Sequence, residues 1–89
     1  MKPLPKHFTG KGEVRGYKFS QISQTDKAFF YEVNSGDSLY YEVFKKYLNT
    51  RFACVSYPTS RAFGIWAWSI MSLENAQKKF EELNIYEDV

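Results

Sequence analysis

Residues 29–43 of this 89-residue chain, FFYEV NSGDS LYYEV, decide the fold that the sequence predicts. Two segments rich in aromatic and β-branched side chains flank a polar segment that contains Gly36. Such side chains favour strands, and a short glycine-containing polar turn between two such runs is typical of a β-hairpin. The sequence therefore predicts two antiparallel strands in the middle of the chain.

The register of this hairpin depends on the length of its loop. A three-residue loop at 35–37 makes one face continuously apolar, and that face consists of Phe29, Tyr31, Val33, Leu39, Tyr41 and Val43. A two-residue loop mixes apolar and polar side chains on each face. Because a one-residue slip exchanges the two faces, burial favours the three-residue loop. In that register Glu32 and Glu42 share the other face with Phe30, Tyr40 and Phe44.

Further elements are predicted on both sides of the hairpin. A first strand lies within residues 15–25. Its alternation changes phase at Ile22, so either a bulge intervenes there or the strand uses both faces. Two more strands follow, at 52–57 and 63–70. Both sides of the second are apolar, so we expect it to lie centrally, or under the helix on one side and a lid on the other. A helix at 72–84 starts at Ser72, a good N-cap residue, and shows one apolar stripe made of Leu73, Ala76, Phe80 and Leu83.

These elements predict a single α+β domain over residues 1–89. A flexible basic arm (1–13) precedes an antiparallel β-meander of four or five strands (15–70), and the C-terminal helix packs on one face of the sheet. We expect the helix to cover the continuously apolar face and to leave the second, aromatic face open. A strongly curled sheet, nearly a barrel, is the alternative.

Composition sets further limits. The single cysteine excludes an internal disulfide framework and fits a reducing compartment. No apolar run approaches the roughly 18 residues that a membrane span needs, and the first residues lack the apolar centre of a secretory signal. We therefore expect a soluble cytoplasmic protein. Residues 1–27 carry six Lys and Arg against two acidic residues, whereas residues 71–89 carry two against five.

No catalytic or cofactor motif is present in the sequence. His7 is the only histidine and Cys54 the only cysteine, so ligand spacing for a metal site is absent. We interpret Cys54 as a small strand residue rather than a nucleophile. Glu32 and Glu42, on one face among aromatics, could in principle act as an acid and base pair. Since nothing supplies a nucleophile or an oxyanion site, we predict no enzyme, no cofactor and no metal.

The best functional clue is the predicted grouping of aromatic side chains with basic ones. The predicted binding surface comprises Phe30, Tyr40, Phe44, Lys46, Arg51, Arg61 and Trp68. Aromatics with arginine are typical of protein interfaces. Exposed sheet aromatics beside cations also suit unpaired bases and phosphates. We therefore predict an interaction module that binds another protein or a second copy of itself, with single-stranded nucleic acid as the alternative partner and no membrane contact.

Overall fold

The computed structural model describes residues 4–49, 54–58 and 60–85. Within them the chain forms one α-helix and seven strands: α1 (Leu73–Ile85), β1 (His7–Thr9), β2 (Lys18–Gln24), β3 (Ala28–Asn34), β4 (Leu39–Lys45), β5 (Tyr47–Asn49), β6 (Cys54–Ser56) and β7 (Ala67–Ile70). Five strands form an open antiparallel sheet in the order β1-β2-β3-β4-β7. The predicted α+β class, five-stranded sheet and C-terminal helix are confirmed.

One face of this sheet, here called the helix face, packs against α1. Its buried side chains are Ala28, Phe30, Tyr41 and Val43, and those of α1 are Ala76, Phe80 and Leu83. The rings of Phe30 and Phe80 lie 5.6 Å apart at their centroids. Burial of one such large side chain stabilises the fold by about 1.5–3 kcal/mol. The predicted stripe is therefore confirmed for three of its four members, since Leu73 is 52% exposed.

The other face of the sheet, here called the opposite face, is closed by the chain itself. It presents Phe19, Phe29, Tyr31, Val33, Phe44 and Ala67, all of them buried. Phe8 stacks on Phe19 with a centroid distance of 4.5 Å, and the Tyr57 ring meets Phe19 edge-on at 5.3 Å. Ala62, Phe63 and Trp66 cover the end near β7. The expectation that the second face stays open is therefore wrong.

The β3–β4 hairpin has a four-residue loop, so the predicted three-residue register is wrong by one residue. Asn34 pairs with Leu39, and Tyr31 lies opposite Glu42. Side chains in the loop supply the reason. The Asn34 side chain accepts a hydrogen bond from the Gly36 N–H at 2.9 Å, and Ser35 Oγ accepts one from the Ser38 N–H at 3.0 Å. Since both faces are covered, burial does not select the register that makes a single face apolar.

Because of this register, the helix does not cover all of the strand residues that the sequence predicted. Phe29, Tyr31 and Val33 lie on the opposite face rather than under α1, because they pair with Phe44, Glu42 and Tyr40. The helix packs instead on the alternate strand positions, which are Ala28, Phe30, Tyr41 and Val43. Its end is tied to the β2–β3 turn, where the Thr25 hydroxyl donates to the Asn84 side chain and Lys27 Nζ to the Asn84 carbonyl at 3.3 Å.

The N-terminal segment is part of the sheet. Residues 1–13, expected to be a flexible arm, contain β1, which pairs with β2 and places Phe8 opposite Phe19. The Tyr31 hydroxyl donates to the Pro5 carbonyl at 2.7 Å and so holds the start of this segment on the opposite face. Burial raises the pKa of Tyr31. The Phe8 ring thereby becomes one of the side chains that close the opposite face.

The remaining strand predictions are met in part. The register of β2 shifts between Gln21 and Ser23, so the predicted bulge at Ile22 is present. The predicted strand at 52–57 contains β6, which pairs with β5 in a separate two-stranded sheet; residues 52 and 53 lie outside the described residues. Because this hairpin lies between β4 and β7 along the chain, the five-stranded sheet is not a simple meander.

Candidate interaction edge

The structure does not bring the predicted binding residues together. Phe30 and Phe44 are both fully buried, and they lie on the helix face and the opposite face respectively. Tyr40 is half-buried at the margin of the opposite face. Neither phenylalanine ring is accessible to a partner, so the prediction that the three rings share one exposed surface is wrong. The physical reason is the hairpin register, which puts neighbouring aromatics on alternate, covered faces.

The other predicted residues are dispersed. Lys46 Nζ lies 5.0 Å from the centroid of the Phe29 ring, at the end of β4. Trp68 is half-buried on the helix face, with Lys79 Nζ 4.4 Å from its ring centroid. Arg61 is exposed in a short 3-10 turn, and Arg51 lies outside the described residues. Both lysines already have an aromatic partner within the protein.

Glu32 and Glu42 lie on opposite sides of the sheet, so the predicted carboxylate pair does not exist. Glu42 is only 2% exposed, and the Tyr57 hydroxyl donates a hydrogen bond to its carboxylate. Burial raises the pKa of Glu42, while hydrogen bonds from Tyr57 and Tyr40 oppose that rise. Burial and the nearby carboxylate also raise the pKa of Tyr40 to about 12, and they raise the pKa of Tyr57.

An apolar cleft of about 380 Å³ opens beside Tyr57. Besides Tyr57, the described residues that line it come from the N-terminal segment and the 3-10 turn Gly12–Val14, and they include Leu4, Phe8 and Val14. A small-molecule site needs a few converging polar groups that fix the ligand. This lining is apolar apart from Thr9, Lys11 and the Tyr57 hydroxyl, which is already bonded to Glu42. The cleft offers contact area without a recognisable ligand chemistry.

The described part of the chain contains no group of three or more His, Cys, Asp and Glu side chains placed to hold a metal ion. Cys54 lies in β6, and its side chain is outside the described set. Among residues 4–49, 54–58 and 60–85, no helix has the length and apolar character needed to cross a membrane.

The β7 edge of the sheet presents free backbone groups. The Trp66 carbonyl accepts a hydrogen bond from the Lys45 N–H at 2.9 Å, so Trp66 points towards β4. Backbone direction alternates along an antiparallel strand, which turns Ala67 and Ser69 away from β4. The Gly64 N–H donates to the outward Ala67 carbonyl at 2.7 Å. Ser69 thus directs its N–H and carbonyl outward, and no backbone group of the described residues bonds to them there.

Exposed apolar side chains flank this strand. Ile65 precedes β7 and is 72% exposed, whereas Met71 and Leu73 follow it and are 70% and 52% exposed. Residues 65–73 read IWAWSIMSL and contain no charged residue, proline or glycine. Natural sheet edges are usually protected by lysine, proline or a covering segment. The open side of β7 therefore lacks the usual protection against pairing with another strand.

The opposite edge of the sheet differs. β1 has three residues, with Pro5 and Lys6 before it and Gly10 and Lys11 after it. A proline and two lysines are the residues that discourage strand addition at an edge. Of the two described edges of the five-stranded sheet, the β7 edge is therefore the one that lacks such protection.

Sequence reasoning missed this edge, although a signal for it was present. Because both sides of the predicted strand 63–70 are apolar, the sequence favours a central strand, or a strand with the helix on one side and a lid on the other. An apolar run of that kind fits a central strand covered on both faces. It also fits an edge strand that is covered on both faces and open along its side, and only the pairing order separates these two cases.

A comparison of the chain with protein-family models, curated proteins and solved structures gives no match.

Proposed function

We propose that the protein is a small non-enzymatic interaction module that binds another protein chain along β7. The observation that carries this proposal is the outward N–H and carbonyl of Ser69 in an edge strand whose flanking residues Ile65 and Met71 are largely exposed. An extended partner segment can add to such an edge by backbone hydrogen bonds, while side-chain contacts provide selectivity. The proposal includes a cytoplasmic location, which suits a chain with a single cysteine.

The proposed contact surface is the side of the sheet and not one of its aromatic faces. Phe30 and Phe44 stabilise the two cores, and the partner meets the side of the sheet instead. Stacking of unpaired bases needs exposed rings. Since these two rings are fully buried, no specific observation favours the nucleic-acid alternative.

A proline substitution at the edge tests the proposal. The Ser69 N–H does not bond to β4, so Ser69→Pro blocks strand addition without removing a hydrogen bond from the ladder. Thr9→Pro is the matched control on β1. The Gln21 N–H bonds to the Lys6 carbonyl and the Gly10 N–H to the Tyr17 carbonyl, so alternation directs the Thr9 N–H outward as well.

Each of the three proteins is immobilised and offered native lysate, with and without nuclease. We expect the wild type and Thr9→Pro to retain the same protein partner, and Ser69→Pro to lose at least about nine-tenths of it, which matches a loss of roughly 1.4 kcal/mol. Retention that disappears with nuclease would instead indicate nucleic acid. Equal retention by all three proteins, or retention by none, would contradict the proposal.

A further inference from the structure

We propose that a second surface, the β1 margin, binds an acidic segment of another protein. The β1 margin consists of residues 4–15, which comprise β1, the turn Gly12–Val14 and the residues beside them. It lies at the edge of the five-stranded sheet remote from β7, so this inference goes beyond the proposed function and does not depend on it. The segment places one large apolar side chain in the cleft beside Tyr57, and its carboxylates meet the cations around that cleft.

The β1 margin carries positive charge that the described part of the protein does not neutralise. Residues 4–18 contain a single acidic residue, Glu13, against four lysine and arginine residues, which are Lys6, Lys11, Arg15 and Lys18. All four basic side chains are exposed, and none of them forms an ion pair with a described carboxylate. The ion pairs among the described residues lie within α1 instead. The acidic helix therefore leaves the basic N-terminal segment available to an external anionic partner.

Three of these cations belong to the surroundings of the cleft. Lys11 is one of the residues that line it. Lys6 directly follows the lining residue Pro5, and Arg15 directly follows Val14, which also lines the cleft. At the rise of a strand, the chain from Lys6 to Lys11 covers roughly 17 Å. An acidic segment of about six extended residues therefore spans the distance between them.

The cleft supplies the apolar half of the contact. Its volume is about 380 Å³, and Leu4, Phe8 and Val14 lie around Tyr57 in its lining. The Phe8 ring is held in place by Phe19, on which it stacks with a centroid distance of 4.5 Å. A pocket with a fixed apolar lining suits one large side chain of a partner, which is the usual anchor of a protein interface. The cleft therefore favours a segment that carries an apolar residue among its acidic ones.

An acidic peptide segment matches both features, whereas a nucleic acid matches one. A phosphate backbone could contact the cations, but it has no apolar group for the cleft. Exposed ion pairs contribute little to affinity because water and salt screen them. We therefore expect the apolar side chain to provide most of the affinity, while the cations attract and orient the acidic segment.

Fluorescence polarisation with labelled synthetic peptides measures this binding. The probe is EDEFEDEE, and its two controls are EDEAEDEE, which lacks the ring, and QNQFQNQQ, which lacks the charge. We expect the wild type to bind the probe at least about tenfold more tightly than either control, and less tightly at high salt. The absence of binding to the probe at about 1 mM protein in low salt, or equal binding of all three peptides, would overturn the proposal.

A pair of charge substitutions tests where the peptide binds. Lys11→Gln removes the cation that lines the cleft and should weaken binding of the probe by about threefold or more. Lys18→Gln is the matched control. Its neighbour Phe19 points to the opposite face and successive side chains of a strand alternate, so Lys18 points to the helix face, away from the cleft. Equal weakening by both substitutions would reveal attraction by net charge alone and would overturn the site.

NMR shifts locate the peptide without a substitution. Addition of EDEFEDEE should shift the side-chain resonances of Leu4, Phe8 and Val14, which line the cleft. The exposed side chains of Leu73 and Ile85 on α1 should keep their shifts. Binding that leaves the cleft resonances unchanged would overturn the proposal.

Oligonucleotides separate the two classes of partner, and Ser69→Pro separates the two surfaces. A single-stranded or duplex oligonucleotide that binds more tightly than the probe would contradict a peptide site at the β1 margin. Ser69→Pro should bind the probe as the wild type does, because β7 lies at the other edge of the sheet. Failure of the probe to bind therefore leaves the β7 proposal intact, and unchanged capture of protein by Ser69→Pro leaves the β1 margin intact.

Discussion

The Tyr57 hydroxyl donates a hydrogen bond to the Glu42 carboxylate, which is 2% exposed on the opposite face of the sheet. This contact joins the segment after β6 to the middle of β4. It also places a carboxylate among aromatic rings, because the Tyr57 ring meets Phe44 edge-on at 5.7 Å. A polar contact therefore forms part of the closure of the face that the sequence predicted to be open.

The buried carboxylate predicts an unusual dependence of stability on pH. Burial raises the pKa of Glu42 above its unfolded value. Its contribution to stability is therefore complete below the unfolded pKa and is lost as the pH rises through the folded pKa. Glu42→Gln keeps the shape of the protonated side chain but cannot ionise. We expect the free energy of unfolding of the wild type to fall relative to this variant between pH 4 and pH 8.

Urea unfolding at several pH values provides the measurement. Glu32→Gln is the matched control, because Glu32 lies only one strand away but is half-buried on the helix face. The difference between the wild type and this control should change less with pH. A wild type that gains stability relative to Glu42→Gln as the pH rises would contradict the buried, raised-pKa assignment.

Removal of the Tyr57 hydroxyl should destabilise the fold. Tyr57→Phe keeps the ring against Phe19 and Phe44 but leaves Glu42 without one of its donors. Loss of a partner to a buried group costs about 1–3 kcal/mol. We expect a loss in that range by chemical denaturation at pH 7. In the Glu42→Gln background the same change should cost less, since the free-energy changes of mutations at contacting residues are not additive. Equal costs in both backgrounds would mean that Tyr57 and Glu42 do not interact.

Gly10 should not tolerate a side chain. A Cβ atom at this position would lie 2.3 Å from the Val14 carbonyl oxygen and 2.9 Å from the Phe19 ring. The backbone oxygen cannot move without displacing the 3-10 turn, so Gly10→Ala should cost about 1–3 kcal/mol or more by overpacking. Gly36→Ala is the comparison, since its Cβ meets open space and only its φ of 95° is unfavourable. Urea midpoints should order the variants accordingly, and a neutral Gly10→Ala would contradict the docking of β1.

Two positions on the predicted helix stripe should differ sharply. Phe80 is 6% exposed and contacts Phe30, whereas Leu73 is 52% exposed. Truncation of a buried phenylalanine costs about 3–5 kcal/mol, so Phe80→Ala should approach the stability limit of a domain this small. Leu73→Ala should cost well under half of that amount. Similar losses in thermal and urea unfolding would mean that α1 turns Leu73 as well as Phe80 towards the sheet.

The sequence predicted the local elements well because their signals are local. Phe80 and Leu83 follow the helical period, and the phase change at Ile22 marked the bulge in β2. The hairpin register depends on how the Asn34 and Ser35 side chains bond within the loop, and hydrophobic alternation does not record those bonds. Closure of the opposite face depends on Phe8 and Tyr57, which are distant in the chain from the strands they cover. The site was missed for the same reason, since an edge strand is defined by its neighbours.

The open side of β7 is tested most directly by amide hydrogen exchange measured by NMR. The Ser69 N–H should exchange much faster than the N–H groups of Trp68 and Ile70, which face β4. The Thr9 N–H, which points away from β2, should exchange fast as well. A Ser69 N–H as protected as that of Ile70 would contradict an open β7 edge.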